Sequence, residues 1–449
     1  MHIRGKKMER IIANEGKSGY HIVTSQFAHE AELYAASQLK IYLEKASFAV
    51  IPYFSDRCEK RTPEIRVGRN VRGNTDRSDG IGDEGFKIYT DGEDIVICGR
   101  TPRGTVYGVY RFLEEIIGFR CFTKDIEAFD KRGKIAVSNI DITENPSFEY
   151  RDTYFRGAFD CDYAVKNRLN SSLALIPNEK GGRTKFYNFH HSFYDILPPD
   201  IYFDEHPEYY SLVDGVRLKQ NGQLCLTDEG AVNEAIKRVK EWIRSRPDCK
   251  VFSVAQNDWS NNCTCPKCRE TDEKEGSPSG SIIYFVNRIA EEIEKEYPDV
   301  LIHTFAYQYS RKAPKFIRPR DNVIVRLCNI ECSWDENLRE KKANSPESYT
   351  AEFVGNITDW GKISKHLYIW DYACNFSYYI LPFPNYYILA DNLRYYKECG
   401  VSGILEQGNF SYGAATGLAE LEAYLCARLM WNTDLDVKEL IMEFTDGVY

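Results

Sequence analysis

Apolar and polar positions change their period along this chain, and the change divides it. In the first third, "AELYAASQLKIYLEKAS" places apolar residues at helical spacing, whereas "EIRVG", "GFKIYTDG" and "DIVICG" read as strands. "TDGED" reads as the hairpin turn between the last two. "TPRGTVYGVYRFLEEIIG" predicts a second helix, with Thr101 as N-cap, Pro102 in the first turn and Gly118 as the stop. Together these predict a small α+β accessory domain over residues 1–143. The turn-forming Asn145-Pro146 in "TENPSFEY" then breaks the pattern.

From residue 147 to residue 449, β-branched or aromatic runs alternate with helical patterns. The strand candidates are "YRDTYF", "SLALIP", "QLCLT", "VFSVAQND", "LIHTFAYQ", "NVIVRLCNIE", "HLYIWDYACN" and "GVSGILEQGN". Between them "EGAVNEAIKRVKEWIRSR", "SGSIIYFVNRIAEEIEKEYP" and "YYILADNLRYYKECG" carry i, i+3, i+4 apolar spacing, with Ser279 or Ser281 as the cap of the second. Eight strands with interposed helices predict an α/β fold, a (β/α)8 TIM-type barrel preceded by the small α+β domain. No glycine fingerprint follows the first strand, which argues against a doubly wound sheet.

Strands of a parallel barrel are buried on both faces and turn polar at their C-terminal ends, where active sites form. The fourth run ends in Asn257, Asp258 and Trp259, the fifth in Tyr307 and Gln308, the sixth in Asn329 and Glu331. The seventh carries Asp371, Tyr372 and Asn375, and the eighth ends in Glu406, Gln407 and Asn409. Four carboxylates on one rim suit glycoside hydrolysis. One carboxyl group must stay protonated for the leaving oxygen, and another must be ionised to attack, activate water or orient an N-acetyl group. Glu406 leads as acid/base because it follows the apolar "GVSGIL" and sits among amides, with Asp258 or Asp371 as its partner. The bland alternatives are a loop cap for Asp258, a pairing of Asp371 with Arg326, and a solvated Glu331.

Composition narrows the partners. The 449 residues carry a net charge of −9, which excludes the basic face that a nucleic acid demands. No apolar run reaches the ~20 residues of a membrane span, and "MHIRGKKMERIIANEG" lacks a signal-peptide core. With 14 scattered cysteines, the expected setting is the reducing cytoplasm, with no membrane partner.

Aromatic residues make up 14% of the chain, and "LYIWDYACNFSYYILPFPNYY" interleaves them with polar groups, as sugar rings require. Trp370 is expected to fill the layer between barrel and helices. His190 and His191, taken to follow the second strand, are candidates for binding hydroxyls. In "NNCTCPKC", Cys263, Cys265 and Cys268 offer three thiolates where structural zinc takes four ligands. Cys225, Cys328 and Cys332 are the candidates for a fourth. The expectation is no metal and no cofactor, with free thiols in a loop over the barrel top.

"EGFKIYTDGEDIVICGRTPRGTVYGVYRFLEEIIGFRCF" resembles the accessory N-terminal domain of family 67 α-glucuronidases and related hexosaminidases. Val251–Pro278 and Trp370–Gly408 resemble a bacterial domain family of formerly unknown function that includes family 163 endo-β-N-acetylglucosaminidases acting on complex N-glycans. The resemblance implies a (β/α)8 glycosidase behind a non-catalytic N-terminal domain, acting on a glycan that carries N-acetylglucosamine. It aligns Asp258, Asp371 and Glu406 with the acid and paired carboxylates of the α-glucuronidases, Asp258 standing where those enzymes use Glu. It also implies further helices beyond "EFTDGVY". The expected activity is therefore hydrolysis of an N-acetylglucosamine linkage by a two-carboxylate or substrate-assisted mechanism, with an oligosaccharide as partner. The alternatives are an α-glucuronidase-like exo-hydrolase, with Arg151, Arg156 or Arg326 for the uronate, or a non-catalytic carbohydrate-binding protein.

Overall fold

Six strands build the first sheet: β1 (His21–Thr24), β2 (Tyr53–Ser55), β3 (Glu64–Val67), β4 (Phe86–Asp91), β5 (Asp94–Gly99) and β6 (Asp141–Glu144), in the order β6-β4-β5-β3-β1-β2. The computed structural model describes residues 9–73, 79–341, 348–379, 381, 383, 385–412 and 418–449. The N-terminal Met1 to Met8 and, within the aromatic run, Ile380, Pro382 and Pro384 lie outside them. β4 and β5 pair antiparallel from Phe86↔Gly99 to Asp91↔Asp94, and Gly92 takes φ +62° in the turn. α1 (Glu30–Ser47) and α2 (Pro102–Ile117) fall where the spacing predicts them. Thr101 caps α2 through the Gly104 amide, and Gly118 ends it in the left-handed conformation at φ +62°.

The chain clusters into two compact units, one running to Arg183 and including Gly408–Tyr449, the other comprising Thr184–Tyr379 and Phe383–Gln407. Within the first, two buried carboxylates are each matched by two guanidinium groups. Glu84 meets Arg103 and Arg151, and Glu114 meets Arg168 and Arg428. Burial raises the pKa of both acids, but the cations win and hold each at about 2. Glu422, on the helix Ala419–Trp431, lacks that compensation, and burial pushes it up to about 8. An acid whose folded pKa is raised contributes stability at low pH and loses it as pH rises through that value. Glu422→Gln is therefore expected to leave unfolding near pH 4 unchanged and to stabilise at pH 7 by roughly 3 kcal/mol. Thermal melts of both proteins across pH 4–8 check this.

The second unit holds a curled sheet whose parallel strands follow chain order: β7 (Phe186–Tyr187), β8 (Val251–Ser253), β9 (Leu301–Ala306), β10 (Val323–Cys328), β11 (His366–Tyr372) and β12 (Val401–Gln407). Between them lie α3 (Glu229–Ser245), α4 (Pro266–Glu275), α5 (Ser279–Glu294), α6 (Tyr349–Ile363) and α7 (Tyr386–Glu398). Among the described residues no helix is long and apolar enough to cross a membrane.

Two predicted strands are absent. At "SLALIP" the hydroxyl of the preceding Ser171 accepts the Leu173 amide at 3.1 Å, and that of Ser172 donates to Asp152 at 2.9 Å. These local bonds compete with a strand ladder, and Leu173 and Leu175 stay exposed. In "QLCLT" only Leu224 makes a bridge, to Tyr210, because Gln223 and Cys225 are committed to loop contacts. The short β7 therefore precedes His190 and His191. Neither Ser279 nor Ser281 caps α5. Pro278 holds the cap position, the Ser279 hydroxyl donates to the Lys312 carbonyl, and the Ser281 amide donates to Asp272 at 3.0 Å.

Candidate active site

Strand alternation sorts the polar strand ends into two groups. Phe305, Arg326 and Tyr368 are register partners on successive strands, as are Cys328, Trp370 and Leu405. These rows share the inner face with the aromatic residues of the β7 loop. The Trp370 ring lies 5.8 Å from Phe189 and 5.9 Å from Phe305, and its Nε1 donates to Gln407 Oε1 at 3.2 Å. Trp370 thus lines the inner face and not the helix layer. Arg326, fully buried, sits 4.5 Å from the Phe189 ring and 5.1 Å from that of Phe186. By register it lies on the face of the sheet opposite that of Asp371.

Asp371 and Glu406 have the opposite parity. They are register partners on β11 and β12, one residue out of phase with Trp370 and Leu405, so they face the helices. The Asp371 carboxylate accepts from Asn329 Nδ2 at 2.5 Å, from the Tyr396 hydroxyl of α7 at 2.7 Å and from the Tyr372 amide at 2.8 Å. Glu406 is fully buried, and among the described residues neither of its carboxyl oxygens has a hydrogen-bond partner. Burial, and then the charge of Asp371, pushes Glu406 well above the usual carboxylate range. Burial also raises Asp371, against the pull of its three hydrogen bonds. Two carboxyl groups so placed cannot both ionise, and Glu406 is the one that keeps its proton.

Asp258 occupies the inner rim. It is exposed in the loop after β8, and its Oδ1 accepts from the Tyr307 hydroxyl at 3.2 Å. Gln308 Nε2 donates to the same hydroxyl at 3.0 Å. Burial, then the charge of Asp258, pushes the Tyr307 phenol above its ordinary range, so it stays a neutral donor. Asn257 is spent on the scaffold: Nδ2 donates to the Gly222 carbonyl at 2.9 Å and Oδ1 accepts from the Tyr194 amide at 3.3 Å. Trp259, 48% exposed, stands next to Asp258. His191 Nδ1 bonds the Gln256 carbonyl at 2.8 Å, and its ring lies 6.1 Å from Tyr307, with His190 alongside at 5.6 Å.

At the end of β11 aromatic residues cluster, with Tyr372 stacked on Trp334 and Phe376 edge-on to both. Tyr372 lies 5.2 Å from Trp334 at an interplanar angle of 19°, and Phe376 closes on Tyr372 at 5.6 Å. Asn375 Oδ1 accepts the Ser377 amide at 3.0 Å and so shapes the turn. Glu331 is ion-paired with Arg311 at 2.7 Å and is not simply solvated. Asn409, in the other unit, bonds the Ser411 amide through Oδ1 at 3.2 Å. Trp334 and Tyr396 escaped the sequence reading. Trp334 had no periodic context, whereas Tyr396 belongs to the apolar stripe of α7, which signals burial but not a phenol aimed at Asp371. The thiols of Cys225, of Cys263 and Cys265 in the loop after β8, and of Cys268 in α4 come together in a buried cluster.

A search of curated proteins finds no match. Solved structures do share the fold. A family GH115 4-O-methyl-α-glucuronidase with specificity for decorated arabinogalactans superposes with a TM-score of 0.61 at 10% identity, over 97% of this chain and 60% of its own. The Flavobacterium johnsoniae chitobiase FjGH20 gives 0.53 at 12% identity, over 98% and 71%, and CpGH84B gives 0.52 at 14% identity, over 98% and 72%. The chain thus spans less than two thirds of the length of the GH115 enzyme. The shared fold is the TIM-type barrel behind an N-terminal domain that the sequence predicts. Residues 121–449 match the model of a domain of unknown function, DUF4838, and the chain belongs to that family.

Proposed function

We propose that this chain is a glycoside hydrolase whose reacting carboxyl group is Asp258. The observation that carries the reading is the exposed Asp258 carboxylate, held by the Tyr307 hydroxyl at the C-terminal rim of a curled parallel sheet. That is the rim where barrel enzymes place their chemistry. The Trp334–Tyr372–Phe376 cluster supports a sugar as ligand, because its exposed member Phe376 offers an aromatic face to the CH face of a pyranose. The fold shared with glycosidases points the same way.

For the substrate, a linkage of N-acetylglucosamine in a complex glycan fits better than a uronate. Arg151 and Arg326 are fully buried, one with Glu84 and the other among aromatic rings, and Arg156 lies 4.0 Å over the Tyr412 ring. A substrate-assisted mechanism needs one enzyme carboxyl group as acid while the N-acetyl oxygen attacks the anomeric carbon. Asp258 fills that role, with Tyr307 and Gln308 orienting it. Glu331 is the second rim carboxylate for a two-carboxylate variant. Glu406 and Asp371, turned toward the helices, act as a buried structural pair.

Incubation of the protein with chitooligosaccharides, complex N-glycans and glucuronoxylan fragments, with products read by mass spectrometry, tests the reading. Release of an N-acetylglucosamine-terminated product supports it, and release of a uronic acid alone overturns the substrate choice. Tyr307→Phe is expected to lower kcat about tenfold with KM little changed, since it removes one orienting hydrogen bond. Steady-state kinetics on the cleaved glycan check this.

A further inference from the structure

The C-x-C-x-x-C loop finds its fourth thiol in the fold. The Sγ atoms of Cys225, Cys263, Cys265 and Cys268 all lie within 4.8 Å of one another, with Cys225 3.6 Å from Cys265 and 4.0 Å from Cys268. All four residues are buried, none more than 7% exposed. These are not disulfide distances, which are about 2.05 Å between sulfurs. Four thiolates around a zinc ion at ~2.3 Å stand about 3.8 Å apart at the corners of a tetrahedron, and the cluster already has that size.

The surroundings suit a charged tetrathiolate. The Leu212 amide donates to Cys263 Sγ at 3.3 Å, the Thr227 hydroxyl lies 3.2 Å from Cys268 Sγ, and the Arg217 guanidinium lies 3.9 Å from Cys263 Sγ. Such outer partners orient thiolates and offset the negative charge of a four-sulfur site. Cys265 stands at the N-cap of the ten-residue α4, so the positive end of that helix adjoins the cluster. Four buried thiols with two hydrogen-bonding neighbours and a cation make a poor apolar core and a good soft-metal site.

We propose that Cys225, Cys263, Cys265 and Cys268 bind one Zn²⁺ in a closed, structural site. With four protein ligands no coordination position remains for water, so the ion takes no part in hydrolysis. Its role is to tie the loop after β8 to the segment that carries Cys225. Gln223, two residues before Cys225, clasps the same loop: its Nε2 donates to the Asn257 and Trp259 carbonyls and its Oε1 accepts the Asn257 amide. The metal and this amide clasp together bracket Asp258, so loss of either loosens that loop. The metal site does not depend on the glycosidase reading, because it is measured without substrate.

The test uses the full chain, purified under reducing conditions without chelator. Elemental analysis is expected to give about one zinc per chain, and Cys265→Ser and Cys268→Ser to retain less than about a fifth of it. Cys328→Ser, outside the cluster, is expected to keep full occupancy. Because a ligand variant can fail to fold, the wild type also carries its own test. Titration with a mercurial should release one zinc as four thiols react, and Co²⁺ in its place should give the absorption of a tetrahedral thiolate complex. A reduced wild type that holds no zinc and takes up neither Zn²⁺ nor Co²⁺ overturns the proposal. So does one iron per chain, or a disulfide among these four cysteines in freshly prepared protein.

Discussion

Asp258→Asn is expected to lower glycan cleavage by about 10²- to 10⁴-fold, the usual worth of a positioned general acid. The change keeps the side chain's size and its acceptor for the Tyr307 hydroxyl, so the loop after β8 should keep its shape. What disappears is the ability to deliver a proton to the leaving oxygen. Because Asp258 is exposed, the melting temperature should move by less than about 2 °C, as exposed substitutions usually do. Substrates whose leaving group needs little protonation, such as nitrophenyl glycosides, should suffer much less than natural glycans. Kinetics on both kinds of substrate, beside a melting curve, separate lost chemistry from lost folding.

The second large effect is expected at the buried pair, in stability. Asp371→Ala leaves the Tyr396 hydroxyl and the Tyr372 N–H without their acceptor inside the fold and takes from the Asn329 amide one of its two acceptors, the other being the Tyr396 hydroxyl. Abandoned buried donors of this kind cost about 3 kcal/mol in total or somewhat more. Glu406→Gln should behave differently. Glu406 is held protonated in the fold and ionises on unfolding, so the wild type loses stability as pH rises above the ordinary carboxylate range. The amide has no such dependence. The variant should match wild type near pH 4 and be the more stable protein at pH 8, as urea unfolding at the two pH values would show. A Glu406→Gln protein equally destabilised at both would contradict the protonation assigned here.

The difference between these carboxylates was written in the sequence, but only in part. In "HLYIWDYACN" the residues Tyr368, Trp370 and Tyr372 alternate with Leu367, Ile369 and Asp371, so Asp371 shares its parity with the two aliphatic residues that pack under helices. Glu406 shares its own with Ile404. The expectation that every polar strand end faces the pocket overlooked this period of two. The position of Asp258 was legible because a loop residue beyond a strand end is free of that constraint. Helices and hairpins of the N-terminal region were legible because their caps and turns are local. "SLALIP" and "QLCLT" were misread because serine hydroxyls and the Gln223 amide commit the backbone to loops, and such contacts leave no periodic trace. The meeting of Cys225 with Cys263, Cys265 and Cys268 spans about forty residues, a separation at which spacing says nothing.

We propose that catalysis resides on the inner rim at Asp258 and not on the buried pair. This is tested most directly by assaying wild type, Asp258→Asn and Glu406→Gln side by side on complex N-glycans and chitooligosaccharides, with products read by mass spectrometry. Cleavage by wild type and by Glu406→Gln, with none detectable by Asp258→Asn, is the predicted result. Undiminished cleavage by Asp258→Asn, or its loss in a fully folded Glu406→Gln, would place the reacting group elsewhere.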